Sequence, residues 1–328
     1  MSTYENLHGR RVNVVSSNPS NPKDGEVWYN STLGQLKGYV LGVGTWSNGG
    51  TLGTARYGTG VGQSQDAATL AGMQGPSSAQ NGTTENYNGT SWTSSGSLAT
   101  ARYRIAGAGT QTAGIGVGGY IPGSGRQSAV EEYNGSSWSG GTGMPSGNQF
   151  QSGSGPQTAT FYTSGNYPGG DTGVTLNYDG SSWTSGTSLN TGRRQSATVG
   201  AASAQTACLN AGGYNPPGSP SDATVTEEYD GSSWTTVTAL PLGIHASGSS
   251  GISTNALVFG GSTPSYVKTM AWDGTAWSEQ GNQTTSIRRV HNGGGGTNSA
   301  IAMGGNPNGS TTEEFSAGTV ETRPLTVS

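Results

Sequence analysis

An eight-residue pattern ending in Trp recurs along the chain at intervals of about 46 residues. Its five close copies occupy residues 85–92, 131–138, 176–183, 227–234 and 270–277. The centre of each copy is Asn-Gly or Asp-Gly between β-forming flanks, which predicts a two-residue type I′ turn at the tip of a β-hairpin. A period of about 40 to 50 residues built on strands is typical of β-propellers.

Two further features keep the same phase. A short apolar run ending in glycine precedes most hairpins, as in Leu257-Val-Phe-Gly-Gly261, and a weaker version stands at Thr160-Phe-Tyr-Thr163. An Arg followed by a stretch of small residues comes after several of the Trp positions. Each repeat therefore predicts four short antiparallel strands, which together make one propeller blade. Glycine is abundant, at 59 of 328 residues, but the strict phase of the repeat argues against disorder.

The two ends of the repeat array decide the number of blades. Trp46 stands in the Trp position without an upstream half, and Val320 takes that position in a degenerate copy at residues 313–320. We expect an all-β protein in which the Trp46 strand completes the last of six blades and so removes a free sheet edge. A seventh blade, begun by an N-terminal hairpin, is the alternative.

These repeats resemble the kelch family of β-propellers, through Gly-Gly after an apolar strand and Tyr upstream of Trp. Residues 18–39 resemble a short hairpin found near the start of many bacteriophage structural proteins, especially tail and fibre components. The two resemblances imply an N-terminal attachment segment at residues 1–34, with the start of a β-hairpin, and a propeller at residues 35–328. A kelch-like fold does not by itself imply an activity.

Composition excludes several classes of function. The chain has 14 Lys and Arg residues against 18 Asp and Glu, so a nucleic-acid partner is not expected. No apolar run is long enough for membrane insertion and no signal peptide opens the chain, which predicts synthesis in a cytoplasm without export. The resemblance to phage proteins implies that this is the cytoplasm of the host and that the protein ends up in the virion. The single cysteine, Cys208, lies in an apolar strand run and is expected to be a buried, inert thiol.

No residues of the chain are expected to form a catalytic or metal site, and no cofactor is expected. His245 and His291 hold similar positions in adjacent repeats, but no carboxylate or Cys motif flanks them in sequence, so a metal centre is not predicted. Glu131, Glu227 and Glu313 recur at one strand position, which indicates ion pairs with the recurrent Arg of a neighbouring blade and not glycoside hydrolysis. The recurrent Trp residues are expected to pack between blades, although stacking on sugars remains an alternative.

The irregular loops after Gly-Gly are where binding is expected, because variable loops on a rigid scaffold commonly carry function. The same propeller face is expected to carry several of the recurrent arginines. The candidate binding residues are Tyr120, Tyr167, Tyr214, Tyr266, Arg56, Arg102 and Arg193.

The resemblance implies a non-enzymatic virion protein of the tail or fibre apparatus. Its N-terminus would attach to other virion structural proteins, and its propeller would bind a host surface glycan or a neighbouring subunit, with homo-oligomers on the particle as a further expectation. One alternative is a capsid-surface decoration protein, and another is a carbohydrate-binding or carbohydrate-active propeller, such as a lectin or glycosidase.

Overall fold

The computed structural model describes residues 12–19, 26–74, 80–200, 205–215, 222–261, 267–285, 294–305, 309–318 and 320–324. Within these ranges the chain forms β-strands and no helix, so none of the described residues could form a membrane-spanning helix. The chain divides into two compact units. The N-terminal unit comprises Met1–Gly44 and Ala317–Ser328, and the repeat unit comprises Thr45–Ser316.

The repeat unit contains six four-stranded antiparallel sheets within the described residues. The first sheet contains β5 (Tyr57–Ser64), β6 (Ala67–Gln74), β7 (Gln80–Tyr87) and β8 (Trp92–Ser95), and the second contains β9 (Ala106–Thr110), β10 (Ala113–Val117), β13 (Val130–Tyr133) and β14 (Trp138–Gly140). The third sheet contains β15 (Ser152–Ser154), β16 (Thr160–Thr163), β19 (Thr175–Tyr178) and β20 (Trp183–Gly186), and the fourth contains β21 (Ala197–Val199), β22 (Cys208–Ala211), β23 (Thr226–Tyr229) and β24 (Trp234–Val237). The fifth sheet contains β25 (Gly248–Ile252), β26 (Asn255–Phe259), β27 (Thr269–Trp272) and β28 (Trp277–Glu279), and the sixth contains β29 (Gly294–Gly296), β30 (Ser299–Met303), β31 (Thr312–Ser316) and β4 (Thr45–Asn48). Two short hairpins add β11 (Tyr120–Ile121) with β12 (Gly125–Arg126), and β17 (Asn166–Tyr167) with β18 (Gly170–Asp171).

The order of the sheets in space follows the order of the repeats. The first strand of each sheet lies beside the first strand of the next, and β29 of the last sheet lies beside β5. The architecture is therefore all-β and propeller-like, as the repeat predicted. The strand carrying Trp46 lies outermost in the last sheet, where Trp46 is opposite Phe315, while the strand that begins at Val320 belongs to the N-terminal unit.

The hairpin tips differ from the predicted two-residue turn. Tyr87 pairs with Trp92, which leaves a four-residue loop between the strands, and the same pairing recurs at Tyr133 and Trp138. Gly89 has a φ of 88°, but Asn88 does not share the positive φ that a type I′ turn requires. The side-chain Oδ1 of Asn88 instead accepts hydrogen bonds from the backbone N–H groups of the third and fourth loop residues. Either Asp or Asn can supply that oxygen, which explains why the two exchange among the repeats.

The recurrent Trp residues join neighbouring sheets, as predicted. Trp138 Nε1 donates to Thr84 Oγ1 of the preceding sheet at 2.8 Å, and Trp92 Nε1 donates to Thr312 Oγ1 at 2.8 Å. Trp46 makes the same contact with Thr269 Oγ1, also at 2.8 Å. The indole N–H groups of these three Trp residues therefore donate hydrogen bonds between neighbouring sheets.

The apolar core lies between adjacent sheets. Ile115 and Val117 of one sheet pack with Tyr162 and Leu176 of the next, and all four are buried. Cys208 packs beside Phe161 of the preceding sheet, and its complete burial raises the pKa of its thiol. The prediction of a buried cysteine is confirmed, and the raised pKa disfavours the reactive thiolate.

The N-terminal unit contains a small sheet of its own. Its strands are β1 (Asn13–Val15), β2 (Val27–Asn30), β3 (Gln35–Leu41) and β32 (Val320–Pro324), paired in that order. β1 is parallel to β2, and the other pairs are antiparallel. The predicted hairpin is therefore present. The predicted division after residue 34 falls inside this hairpin, whereas the repeat unit begins ten residues later, at Thr45.

Candidate binding site

A cavity of about 420 Å³ opens on the repeat unit. It is bordered by side chains from four successive repeats: Arg104, Gln149, Phe150, Asn166, Arg194, Gln195, Tyr214 and His245. A cavity of this size, bordered by a few aromatic and polar groups, is the usual form of a small-molecule site.

The backbone at the cavity has an uncommon conformation. Among the described residues, four residues other than glycine that lie just before the first strand of their sheet have positive φ: Arg104 (61°), Phe150 (61°), Gln195 (57°) and Ala246 (54°). Backbone hydrogen bonds join them in series, since Phe150 N donates to Arg104 O, Gln195 N to Phe150 O, and Ala246 N to Gln195 O. The propeller-like arrangement of the sheets thus brings one position of four repeats into a continuous row.

A side chain in the left-handed region costs about 1–2 kcal/mol relative to glycine, so glycine is the residue expected there. The chain places Arg, Phe and Gln at three of the four positions, although 59 glycines show how readily it uses that residue elsewhere. Backbone strain that recurs beside a cavity is a marker of a functional site.

A second layer of backbone comes from the loops after Gly-Gly. Tyr120 exchanges both backbone hydrogen bonds with Tyr103, and Tyr214 does the same with Arg194. In the repeat between them, the residue in this place is Asn166, whose N–H donates to Gln149 O. These loops therefore deliver one side chain each to the border of the cavity or to its margin.

Aromatic rings and guanidinium groups alternate along the cavity. The Arg104 guanidinium carbon lies 4.3 Å from the centroid of the Phe150 ring, and that of Arg194 lies 5.7 Å from it. Arg194 also lies 4.6 Å from the Tyr214 ring. Contacts of this kind stabilise each guanidinium by about 0.5–2 kcal/mol and fix the plane of both partners.

A hydrogen-bonded series of side chains links the two arginines. Arg104 donates to Gln149 Oε1 at 3.0 Å, and Gln149 Nε2 donates to Asn166 Oδ1 at 3.2 Å. Asn166 Nδ2 donates to Asp171 Oδ1 at 2.7 Å, and Arg194 completes the series with an ion pair to the same oxygen at 2.6 Å. The border of the cavity is therefore preorganised, because its polar side chains hold one another in place.

His245 closes the other side of the cavity. Its Nδ1 lies 2.9 Å from Asp222 Oδ1, and its ring meets the Tyr214 ring edge-on at 5.2 Å. No carboxylate flanks His245 in the sequence, but the fold brings Asp222, which lies 23 residues earlier in the chain, beside its ring. His291 lies outside the described residues.

Three of the predicted binding residues are not at the surface. Arg56, Arg102 and Arg193 are at most 1% exposed and pair with Glu85, Glu131 and Glu227 respectively. Burial lowers the pKa of Arg56 and of Arg193, and the paired carboxylate opposes that shift in each case. Glu131 and Glu227 do pair with a recurrent Arg, and Arg56 forms a similar pair with Glu85. Each of these pairs lies within one repeat, so the prediction of pairing between neighbouring blades is wrong. The prediction that these arginines bind a ligand is wrong, because the ion pairs place them inside the fold.

The predicted tyrosines have different positions. Tyr214 borders the cavity, and Tyr120 lies at its margin with its ring 5.6 Å from the Arg104 guanidinium. Tyr167 is half-buried, and burial raises its pKa; its neighbour Asn166 takes the place beside the cavity. Tyr266 lies outside the described residues.

Three of the residues that sequence reasoning missed lie one or two positions after a recurrent Arg. Arg104 follows the recurrent Arg102, and Arg194 and Gln195 follow Arg193. An ion pair holds the recurrent Arg in the fold, and this places Arg104 in one repeat, and Arg194 and Gln195 in another, at the border of the cavity. A signal was present, because those positions vary from repeat to repeat.

The described side chains that line the cavity are mostly hydrogen-bond donors and aromatic rings. It offers two guanidinium groups, three amides, an imidazole, a phenol and a phenyl ring, whereas Asp171 and Asp222 stand behind Arg194 and His245 as their partners. Such a surface can accept a ligand rich in hydrogen-bond acceptors and with an apolar face.

The sequence matches no family model, and no curated protein matches it. Among solved structures, the fold is similar to that described as "Structure of YjhT", with a TM-score of 0.65 and 13% sequence identity. The match covers 84% of this chain and 99% of that one. At this level of identity the likeness concerns the fold alone.

Proposed function

We propose that the repeat unit is a closed six-bladed kelch-like β-propeller. The continuous contact of first strands from β5 to β29 and back to β5 supports closure, as does the pairing of β4 with β31. Replacing Trp46 by Ala is then expected to destabilise the whole repeat unit by about 3 kcal/mol, because it removes a buried ring from the closing strand. Chemical denaturation with the Val43→Ala variant as a control measures this, since Val43 is 64% exposed. Unfolding of β4 alone, with the other strands still protected from hydrogen exchange, would contradict closure.

We further propose that the protein is a non-enzymatic component of a bacteriophage tail or fibre. In this role the N-terminal unit attaches to another virion protein, and the propeller binds a host-surface glycan through the cavity. The resemblance of residues 18–39 to phage structural proteins supports the assignment to a virion. The cavity supports the binding role, because its lining carries donors and aromatic faces in place of paired carboxyl groups.

The observation that carries the attachment role is the distribution of exposed apolar side chains. The described residues include six large hydrophobic side chains that are exposed to solvent. Five of these belong to the N-terminal unit, namely Val14, Val27, Tyr29, Leu33 and Val43. Val14 is opposite Tyr29 in the sheet, and Val27 lies two residues from Tyr29, so these three share one face. An exposed apolar face on a small sheet is typical of a surface that binds another protein.

Incorporation into virus particles tests this proposal. We expect the triple variant Val14→Ser, Val27→Thr, Tyr29→Ser to fold with an unchanged melting transition of the repeat unit and to be largely missing from purified particles. The control is Ile252→Ser, which removes the sixth exposed apolar side chain, in the repeat unit. Incorporation of the triple variant at the wild-type level would overturn attachment through this face.

A further inference from the structure

We propose that the cavity binds a carboxylate-bearing sugar ring, such as a hexuronate unit of an acidic glycan. This inference rests on the proposed glycan-binding function and names the ligand class. Neutral sugars and inorganic anions are the alternatives that calorimetric titration distinguishes.

The charge of the lining favours an anion. Arg104 and Arg194 both border the cavity, and none of the eight described residues that line it is a carboxylate. The two nearby carboxylates are engaged from behind, Asp171 by Arg194 and Asn166, and Asp222 by His245. A cationic ligand would meet two guanidinium groups, while the nearby carboxylate of Asp171 is already paired with Arg194, so its binding is disfavoured.

Arg194 is the group best placed to bind the carboxylate. Its Nη1 contacts Asp171, and the side chain is 25% exposed where it borders the cavity. Stacking on Tyr214 and the ion pair to Asp171 hold the guanidinium in one plane. A fixed, partly desolvated guanidinium binds a carboxylate more strongly than a mobile surface Arg does, since less conformational freedom is lost.

The aromatic rings favour a ligand with a flat apolar face. Phe150 is half-exposed and lies between the guanidinium groups of Arg104 and Arg194, and Tyr214 stands on the far side of Arg194. An inorganic anion would gain nothing from Phe150, whereas the C–H groups of a pyranose ring can pack against the part of the Phe150 ring that the two guanidinium groups leave exposed. The positive φ of Phe150 is compatible with this role, because it presents the ring to the cavity at a cost to the backbone.

The remaining lining and the size of the cavity suit a single sugar unit. Gln149, Gln195 and Asn166 provide amide groups that can both donate to and accept from hydroxyl groups. A volume of about 420 Å³ lies near the lower end of the range for small-molecule sites, roughly 300–1,000 Å³.

Calorimetric titration of the full chain with three matched ligands tests the proposal. D-Glucuronate is expected to bind, while D-glucuronamide and D-glucose, which have the same ring without the charge, bind about ten- to a hundredfold more weakly, as the loss of a charged hydrogen bond implies. Inorganic phosphate is expected to bind no better than glucose. Phe150→Leu is expected to weaken all three sugars equally, because it removes the stacking face and leaves the charge.

The Arg194→Gln variant should abolish the preference for glucuronate over glucuronamide. Because that change leaves Asp171 without its ion pair, the double variant Arg194→Gln, Asp171→Asn serves as the folded comparison. Lys268→Gln, in an exposed ion pair with Glu279, is the matched control and should leave the preference intact.

Three results of the titrations would contradict the proposal. Equal affinity for glucuronate and glucuronamide, with loss of both in Phe150→Leu, would overturn the acidic ligand and leave glycan binding at this site. Wild-type affinity for glucuronate in the Arg194 variants would overturn the site. Failure of all three sugars to bind would overturn the ligand class, whereas attachment to the virion is judged separately, by incorporation of the N-terminal triple variant.

Discussion

The hairpin tips and the cavity use the repeat in opposite ways. At the tips, successive repeats place the same residues in the same contacts, since Tyr87 and Trp92 lie 4.9 Å apart and Tyr133 and Trp138 also lie 4.9 Å apart. Along the cavity, the backbone repeats but the side chains do not, as Arg104, Phe150 and Gln195 show. Residues that make the same contacts in successive repeats therefore stabilise the fold, while residues that differ at a repeated backbone position are available for binding.

The largest expected effect comes from the shared part of the fold. Replacing Glu85 by Gln leaves the Arg56 guanidinium buried beside a neutral group, which should destabilise the repeat unit by about 3–5 kcal/mol. The change lies outside the cavity lining, so ligand affinity of the folded protein should be unaffected. Chemical denaturation together with calorimetric titration measures both.

Glu279→Gln is the control for this effect, because its ion pair with Lys268 is exposed and should contribute at most about 1 kcal/mol. Similar losses of stability in the two variants would mean that the buried ion pairs are not what stabilises the repeats. The distinction between repeated residues that stabilise the fold and variable residues that bind would then be wrong.

An intermediate effect on stability is expected when either of two alanines that differ mainly in backbone conformation is replaced by Gly. Ala246 and Ala197 are both 3% exposed, but Ala246 has a positive φ and Ala197 lies in β21. Ala197→Gly should cost about 1–2 kcal/mol through the flexibility of glycine and the lost methyl contacts. Ala246→Gly should be nearly neutral, because relief of about 1–2 kcal/mol of backbone strain offsets the same losses.

Equilibrium denaturation of the two variants checks the strain at the cavity directly. If Ala246→Gly were as destabilising as Ala197→Gly, the row of positive φ values would carry no strain. Backbone conformation would then no longer point to a site of function.

The smallest expected effect concerns acid stability of the hairpin tips. Backbone N–H groups and hydroxyls of the two serines that follow Gly in each turn lower the pKa of Asp179 and of Asp230. A carboxyl group whose pKa is lower in the folded than in the unfolded state stabilises the fold above the unfolded pKa, and this contribution is lost as the pH falls towards the folded value. Asn88 and Asn134 make the same contacts without titrating.

The variant Asp179→Asn, Asp230→Asn should therefore be slightly less stable than the wild type at pH 7, and the difference should shrink as the pH falls below about 4. Thermal unfolding across this pH range measures it. A difference that stayed constant with pH would show that the turn carboxylates do not contribute through their charge.

Much of the repeat could be read from the sequence, because strand order, hairpin positions and the inter-sheet Trp contacts follow from local patterns that recur. The turn type was missed, since Asn-Gly and Asp-Gly suit both a two-residue turn and a four-residue loop capped by the Asn or Asp side chain. The sequence could not place Glu85 against Arg56, or Asp222 against His245, because both contacts depend on how a long segment folds back.

The cavity was only partly predictable for a related reason. Tyr214 was indicated by its loop, but Asn166 and not Tyr167 faces the cavity, a difference of one residue in a strand that reverses the side chain's direction. Arg104 and Gln195 looked like ordinary polar residues, because their distinguishing property is a backbone angle that the sequence does not display.

Binding of the intact protein to a glycan array shows whether the cavity side chains that differ among the repeats bind the ligand. It is measured in parallel for the wild type, for the cavity variant Phe150→Leu with Arg194→Gln, and for the hairpin variant Asp179→Asn. We predict that the wild type and the hairpin variant bind the same acidic glycans, and that the cavity variant binds none of them while melting as a folded protein. Equal glycan binding by the cavity variant and the wild type would contradict the assignment of binding to the residues that differ among the repeats.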